Sequence, residues 1–222
     1  MHRFIKRRLD RVRLKDKAYS YLFDSSPEDE AVSIDCETTG LNTKTDDIVS
    51  VAAIKIRGNR ILTSEAFQAT VKPKAHMAAD SIKIHQILRS DVAQERRIET
   101  VLPDLLKFIG SRPLVGYWID FDVKMLNKNV HQLLGITLPN ARIDVSDLYY
   151  DRKYSKAPPG TNIDLRFAEI LADLNLPPLK AHNAFDDALS TAQMYVVLKD
   201  LKARGVFLKR VRSWDAPLPP VG

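Results

Sequence analysis

The sequence predicts an α/β domain built on a mixed sheet, and three observations carry that prediction. Two apolar, β-branched segments join across Gly58-Asn59 as a hairpin, short strand candidates alternate with helical pattern after them, and 45% of the 222 residues are hydrophobic. That fraction supplies a sizeable core, and with 28% charged residues it excludes a mostly disordered chain.

The elements follow in order. Wound at ~100° per residue, residues 3–23 gather Phe4, Ile5, Leu9, Val12, Tyr19, Leu22 and Phe23 within roughly 140°, which predicts one amphipathic helix. Most of its basic residues lie outside that arc, although Arg8 and Lys15 fall inside it. Ser25-Ser26-Pro27 breaks the pattern. Ala31–Glu37, Ile48–Arg57 and Arg60–Lys72 read as strands of an antiparallel meander. Helices are predicted over Ser81–Arg89 and Glu95–Ile109, then a short buried strand over Pro113–Gly116 leads into a helix over Phe121–Leu134. Arg142–Val145 is a further short strand before a helix over Ser146–Tyr150, and Lys153–Asn162 is a loop around Pro158-Pro159-Gly160. A helix capped by Asp164 is predicted to Asn175, stopped at Pro177-Pro178, and a long one over Asn183–Arg204 ends at Gly205. Three segments result: a basic helix and linker over 1–30, the α/β domain over 31–205, and a Pro-containing tail over 206–222.

Charge is concentrated at one end. The chain has 34 basic and 28 acidic residues, a net of +6, and residues 1–23 hold eight of the former and two of the latter. The remaining 199 residues balance at 26 against 26. The basic segment has three readings: docking on the domain, binding a nucleic-acid backbone, or meeting a membrane surface or protein partner. No apolar run approaches the roughly 18–20 residues of a membrane span, and the N-terminus lacks a secretory pattern. With Cys36 the sole cysteine, a disulfide framework is excluded and a cytoplasmic protein is expected.

The chemistry starts on the first strand. Alternation along Val32–Glu37 puts Val32, Ile34 and Cys36 on one face and Ser33, Asp35 and Glu37 on the other. Two carboxylates side by side repel each other, and a hard divalent cation relieves that cost. Taken alone, Asp35 and Glu37 fit a solvated strand end equally well.

Longer motifs decide between these. Asp35-Cys36-Glu37-Thr38-Thr39-Gly40-Leu41 resembles the first motif of the DEDDh 3′–5′ exonucleases, the DnaQ-like family with a ribonuclease-H-like fold. Val115-Gly116-Tyr117-Trp118-Ile119-Asp120-Phe121-Asp122 occupies the place of the second, with Phe121-Asp122 matching its F-D. His182-Asn183-Ala184-Phe185-Asp186-Asp187 has the H-x4-D spacing of the third. The resemblance covers about Ala31–Arg204. It implies an antiparallel meander plus parallel strands flanked by helices, with Asp35, Glu37, Asp122 and Asp187 holding two divalent cations, Mg²⁺ or Mn²⁺. By the same resemblance Asp35 bridges both ions, His182 is the general base, and Thr38, Thr39, Gly40 and Leu41 meet the 3′-terminal nucleotide. An imidazole suits the base role because its ordinary pKa of ~6.5 lies near working pH.

The second motif departs from the family pattern, which commonly reads G-H-N where this chain has Gly116-Tyr117-Trp118. An indole cannot reproduce the donor and acceptor of an amide, so Trp118 either fills a wall or contacts the substrate by stacking on a base. Among neighbouring residues, Asp186 is expected as a solvated or helix N-terminal acid, and Asp120 competes with Asp122 for the ligand role but the F-D register favours Asp122. Asp144 is expected as a structural or supporting acid, His85 either at the rim of the site or simply packed, and Cys36 in the core.

The expected function is metal-dependent 3′–5′ hydrolysis of single-stranded DNA ends, of a proofreading or repair kind, releasing nucleoside 5′-monophosphates. The motifs resemble epsilon-type polymerase subunits. An exoribonuclease of the same fold is the alternative. A non-catalytic nucleic-acid or polymerase-binding module requires lost catalytic residues, and none is lost. About seventeen residues follow the last predicted helix without a Q-x-x-[L/M]-x-F motif, so a stand-alone nuclease is expected over a tethered polymerase subunit.

Overall fold

The computed structural model describes residues 2–209. Of the tail expected over 206–222, residues 210–222 therefore lie outside the described residues.

Five strands form one sheet in the order β3-β2-β1-β4-β5. β1 (Glu30–Thr38), β2 (Ile48–Arg57) and β3 (Arg60–Thr70) make an antiparallel meander. β4 (Leu114–Gly116) and β5 (Arg142–Asp144) add to the other edge of β1 in parallel. Arg57 pairs with Arg60, so Gly58 and Asn59 form the two-residue hairpin loop, with Gly58 at a φ of 60° that suits a residue without a side chain. This is the mixed α/β sheet that the sequence predicts.

The helices cover both faces. In chain order they are α1 (His2–Arg13), α2 (Ala79–His85), α3 (Arg89–Val92), α4 (Ile98–Ile109), α5 (Asp120–Leu134), α6 (Val145–Lys153), α7 (Phe167–Asp173) and α8 (Ala184–Ala203). Alternation along β1 sorts its contacts. Val32, Ile34 and Cys36 join the cluster containing Leu102 and Leu105 of α4 and Val123 and Leu126 of α5. On the opposite face Ala31 meets Met194 and Leu198 of α8, and the Ser33 hydroxyl donates to the Ala188 carbonyl at 2.7 Å. Buried Ala184, Ala188 and Ala192 let α8 lie this close to the sheet. Asp35 and Glu37 continue the Ser33 face, toward the start of α8.

Three predicted helices are corrected. The helix expected over residues 3–23 is two pieces, α1 and a 3-10 helix over Lys17–Phe23 whose first turn is capped by Asp16. The break lets Leu14, Leu22 and Phe23 enter the main core, while Ile5, Leu9 and Val12 stay exposed. α1 meets the body through polar groups instead: Lys6 contacts Thr137, and Arg7 donates to the Pro139 and Asp24 carbonyls at 3.0 and 3.1 Å. The helix expected over Ser81–Arg89 splits because Gln86 adopts a left-handed conformation. The helix expected from Asp164 begins at Phe167, since the Asp164 carboxylate turns back onto the Arg166 amide and guanidinium and caps no helix.

Candidate active site

Glu37 is the last β1 residue before the pairing with β2 shifts register, from Glu37↔Ser50 to Thr38↔Ile48. Such an irregularity turns the strand end and re-aims its side chains. Asp35, Glu37 and Asp187 each bring a carboxylate oxygen within 4.8 Å of the others, close enough to ligate one cation. Asp187 comes from the first turn of α8, and its Oδ2 accepts the His182 backbone N–H at 2.9 Å. Asp122, in the first turn of α5, is buried beside them, but its Oδ1 accepts the Cys36 amide at 3.0 Å.

Electrostatics follow from that crowding. Burial, and after it the charges of Asp122, Asp187 and Glu37, push the Asp35 carboxyl well above the ordinary range. Burial and Asp187 push Glu37 up to about 7. For Asp122, burial outweighs the Cys36 amide and the value also rises to about 7. Burial raises Asp187 too, against the His182 amide. Among the described residues no lysine or arginine offsets these four charges. The donor set is hard and anionic, with only the His182 charge set against Asp187, and it fits a divalent cation.

Two histidines stand near one another, His182 on the cavity wall and His85 packed behind it. His182 is exposed, on the turn before α8, and held at a φ of 59°. His85, at the end of α2, is buried; its Nδ1 accepts the Ile87 amide at 3.0 Å and its Nε2 has no hydrogen-bond partner. Burial and the nearby His182 hold the His85 pKa below the ordinary histidine value. Cys36 is buried, as its packing role requires. Asp120 pairs with Arg142 at 2.6 Å and is turned outward, which leaves Asp122 as the inward acid of the pair. Asp144 caps α6 through the Ser146 amide at 2.9 Å and accepts the Ile119 amide at 3.1 Å, bracing the turn before α5.

A cavity of about 640 Å³ opens over the acids. Leu41, 84% exposed, and Trp118, 62% exposed, line it together with Tyr117, Phe121 and Phe167. The threonines of the loop are spent on its own structure. The Thr38 hydroxyl donates to the Gly40 carbonyl at 2.7 Å, and the Thr39 hydroxyl donates to Asp46 and accepts the Asp47 amide. A Cβ on Gly40 would stand 2.6 Å from Asp46 Oδ2, and that carboxylate is fixed by the Asn42 amide at 2.7 Å. Phe167 was not foreseeable as a wall residue, because its place depends on where α7 begins.

Comparison with known proteins agrees with this geometry. Residues 32–195 match the RNase T family of exonucleases. The DNA polymerase III subunit epsilon of Aquifex aeolicus is 28% identical over 171 residues, 77% of this chain and 81% of that protein. The PolC-type DNA polymerase III of Thermotoga maritima is 29% identical over 74% of this chain, and the shared region is 11% of that polymerase's length. Among solved structures, exonuclease I of E. coli in complex with single-stranded DNA superposes with a TM-score of 0.68 at 17% identity, over 80% of this chain and 42% of that one. Exonuclease X in complex with 5′-overhanging duplex DNA gives 0.60 at 23% identity, over 80% and 95%. The match spans nearly the whole sheet and all three acidic motifs, and on that ground the chain belongs to the RNase T exonuclease family and has its DnaQ-like, ribonuclease-H-like fold.

Proposed function

We propose that this chain removes nucleotides one at a time from the 3′ end of single-stranded DNA, releasing nucleoside 5′-monophosphates. The observation that carries the reading is the cluster of Asp35, Glu37 and Asp187 lining an open cavity, with Asp122 alongside. In this reading the four acids hold two divalent cations, Mg²⁺ or Mn²⁺. When bound, such ions neutralise the phosphate and lower the pKa of water. Asp122 keeps its place through the Cys36 amide, and Asp187 through the His182 amide. The His182 imidazole, exposed at the cavity wall, accepts the proton of the attacking water. DNA is favoured over RNA because the sequence relatives are named as a PolC-type DNA polymerase III and a DNA polymerase III subunit epsilon.

A 5′-labelled single strand, offered as DNA and as RNA with Mg²⁺ or Mn²⁺, tests this. The expected result is a ladder shortening from the 3′ end, faster for DNA and abolished by EDTA. A labelled strand left at full length, or cut internally, contradicts it. Faster shortening of RNA assigns the same site to an exoribonuclease.

A further inference from the structure

We propose that the open face of the Trp118 indole is a stacking platform for a base of the strand being degraded, which makes Trp118 a specificity-determining residue. The inference rests on the nuclease reading above and adds to it how the site holds the base.

Three observations converge on this residue. It sits at a φ of 53°, a conformation that a bulky side chain seldom adopts and that persists only where the surroundings enforce it. The enforcement is visible: Asp144 Oδ2 accepts the Ile119 amide at 3.1 Å, and Gly116 is packed so closely that a Cβ there would stand 2.6 Å from Ile119. Of the five non-glycine residues with positive φ among the described residues, two, Trp118 and His182, line the cavity over the acids.

The ring itself is built as the outer layer of a stack. Tyr117 and Trp118 lie 5.5 Å apart between centroids at an interplanar angle of 16°. Tyr117 is in turn fixed edge-on to Phe167 at 5.1 Å, and its hydroxyl donates to the Leu165 carbonyl at 3.0 Å. One indole face is thus covered by a braced ring, while the residue as a whole remains 62% exposed. Trp118 lines the same cavity as Asp35, Glu37 and Asp187. A base laid on it extends the Tyr117–Trp118 stack by one ring, an interaction that every base can make and that a larger purine makes better.

The test uses the 222-residue chain with Trp214→Phe, which leaves Trp118 as the sole tryptophan of its two. Its emission is titrated with a single-stranded tetranucleotide protected at its 3′ end by phosphorothioates, in Mg²⁺, and with the matching abasic strand. Stacking predicts saturable quenching by oligo(dA), weaker quenching by oligo(dT), and none by the abasic strand. Trp118→Gly, which suits the positive φ, is expected to raise KM for single-stranded DNA by about 5- to 150-fold, more than it lowers kcat. Trp118→Phe is expected to restore most of the loss. A protein that degrades the strand while its Trp118 emission stays unchanged, or equal quenching by the abasic strand, overturns the stacking role; the emission readout needs no substitution at position 118. A protein that degrades no strand overturns the nuclease reading instead.

Discussion

The amide of Cys36 on β1 donates to Oδ1 of Asp122 on α5 at 3.0 Å, at the one residue that separates Asp35 from Glu37. The length of β4 explains the contact. β4 ends at Gly116 and pairs only Val32 and Ser33, so beyond them this edge of β1 has no strand to accept its amides. Asp122 supplies the missing acceptor, and in doing so is fixed beside the acidic cluster.

Asp122→Asn and Asp122→Ala separate these two roles. Asparagine keeps an acceptor for the Cys36 amide and removes the charge, so stability in urea should hold while turnover is lost. Alanine leaves a buried amide unpaired, at a cost of about 1–3 kcal/mol. Equal stability of the two variants would show that the hydrogen bond contributes nothing.

His182→Asn tests the proposed base role. Asparagine tolerates the left-handed backbone at φ 59°, so the turn before α8 should survive. Turnover should fall by on the order of 10²–10⁴-fold, with Mn²⁺ affinity unchanged in a calorimetric titration. Turnover within about tenfold of wild type would assign proton transfer to another group.

The acidic cluster predicts how the metal-free protein responds to pH. Glu37 is raised from 4.5 to about 7, and Asp122 from 3.8 to about 7. Between those limits the folded state holds protons that the unfolded state has released, so stability falls as pH rises. Glu30 and Asp47 are shifted downward against their burial by hydrogen bonds from Arg57, Arg112 and Lys128 and act below that window. Inside it His85, held below the ordinary histidine value, opposes the fall, but it is one group against the raised Asp35, Glu37, Asp122 and Asp187. In EDTA the melting temperature should therefore drop from about pH 5 to about pH 8, and added Mg²⁺ or Mn²⁺ should restore it at the upper end. A melting temperature in EDTA that rises over this range would contradict the cluster's electrostatics.

Truncation reads the N-terminal arm. Leu14, Leu22 and Phe23 are buried in the main core, and each contributes roughly 1.5–3 kcal/mol. Removing residues 1–23 should abolish cooperative unfolding, because that sum rivals the whole net stability of a domain. Removing residues 1–12 should leave a folded protein, since Ile5, Leu9 and Val12 are exposed. Loss of the fold in the shorter truncation would show that the polar contacts of α1 are essential.

Much of this was legible in the sequence because it depends on local chemistry. The alternation over Val32–Glu37 sorts core from site, and the Gly58-Asn59 turn sets the hairpin. Where the reading erred, a tertiary contact overrode a local pattern. Continuous amphipathicity across residues 3–23 says nothing of Lys15, whose amide bonds the Leu134 carbonyl and marks the break after α1. His85 could be left only as packed or at the rim, because its burial depends on where α2 stops. The aromatic wall of Tyr117 and Phe167 joins residues fifty positions apart, a distance that periodicity cannot bridge.

The central claim is that the carboxylates at the end of β1 form the metal centre of an exonuclease, and Asp35→Asn tests it most directly. The measurement is the rate of nucleotide release from the 3′ end of a single-stranded DNA, wild type against variant, at saturating Mn²⁺. The variant should melt no lower than wild type in EDTA, since removing a charge from a crowded cluster relieves repulsion. Its turnover should be abolished. Retention of more than about a tenth of the wild-type rate, a deficit of only about 1.4 kcal/mol in transition-state stabilisation, would contradict the account.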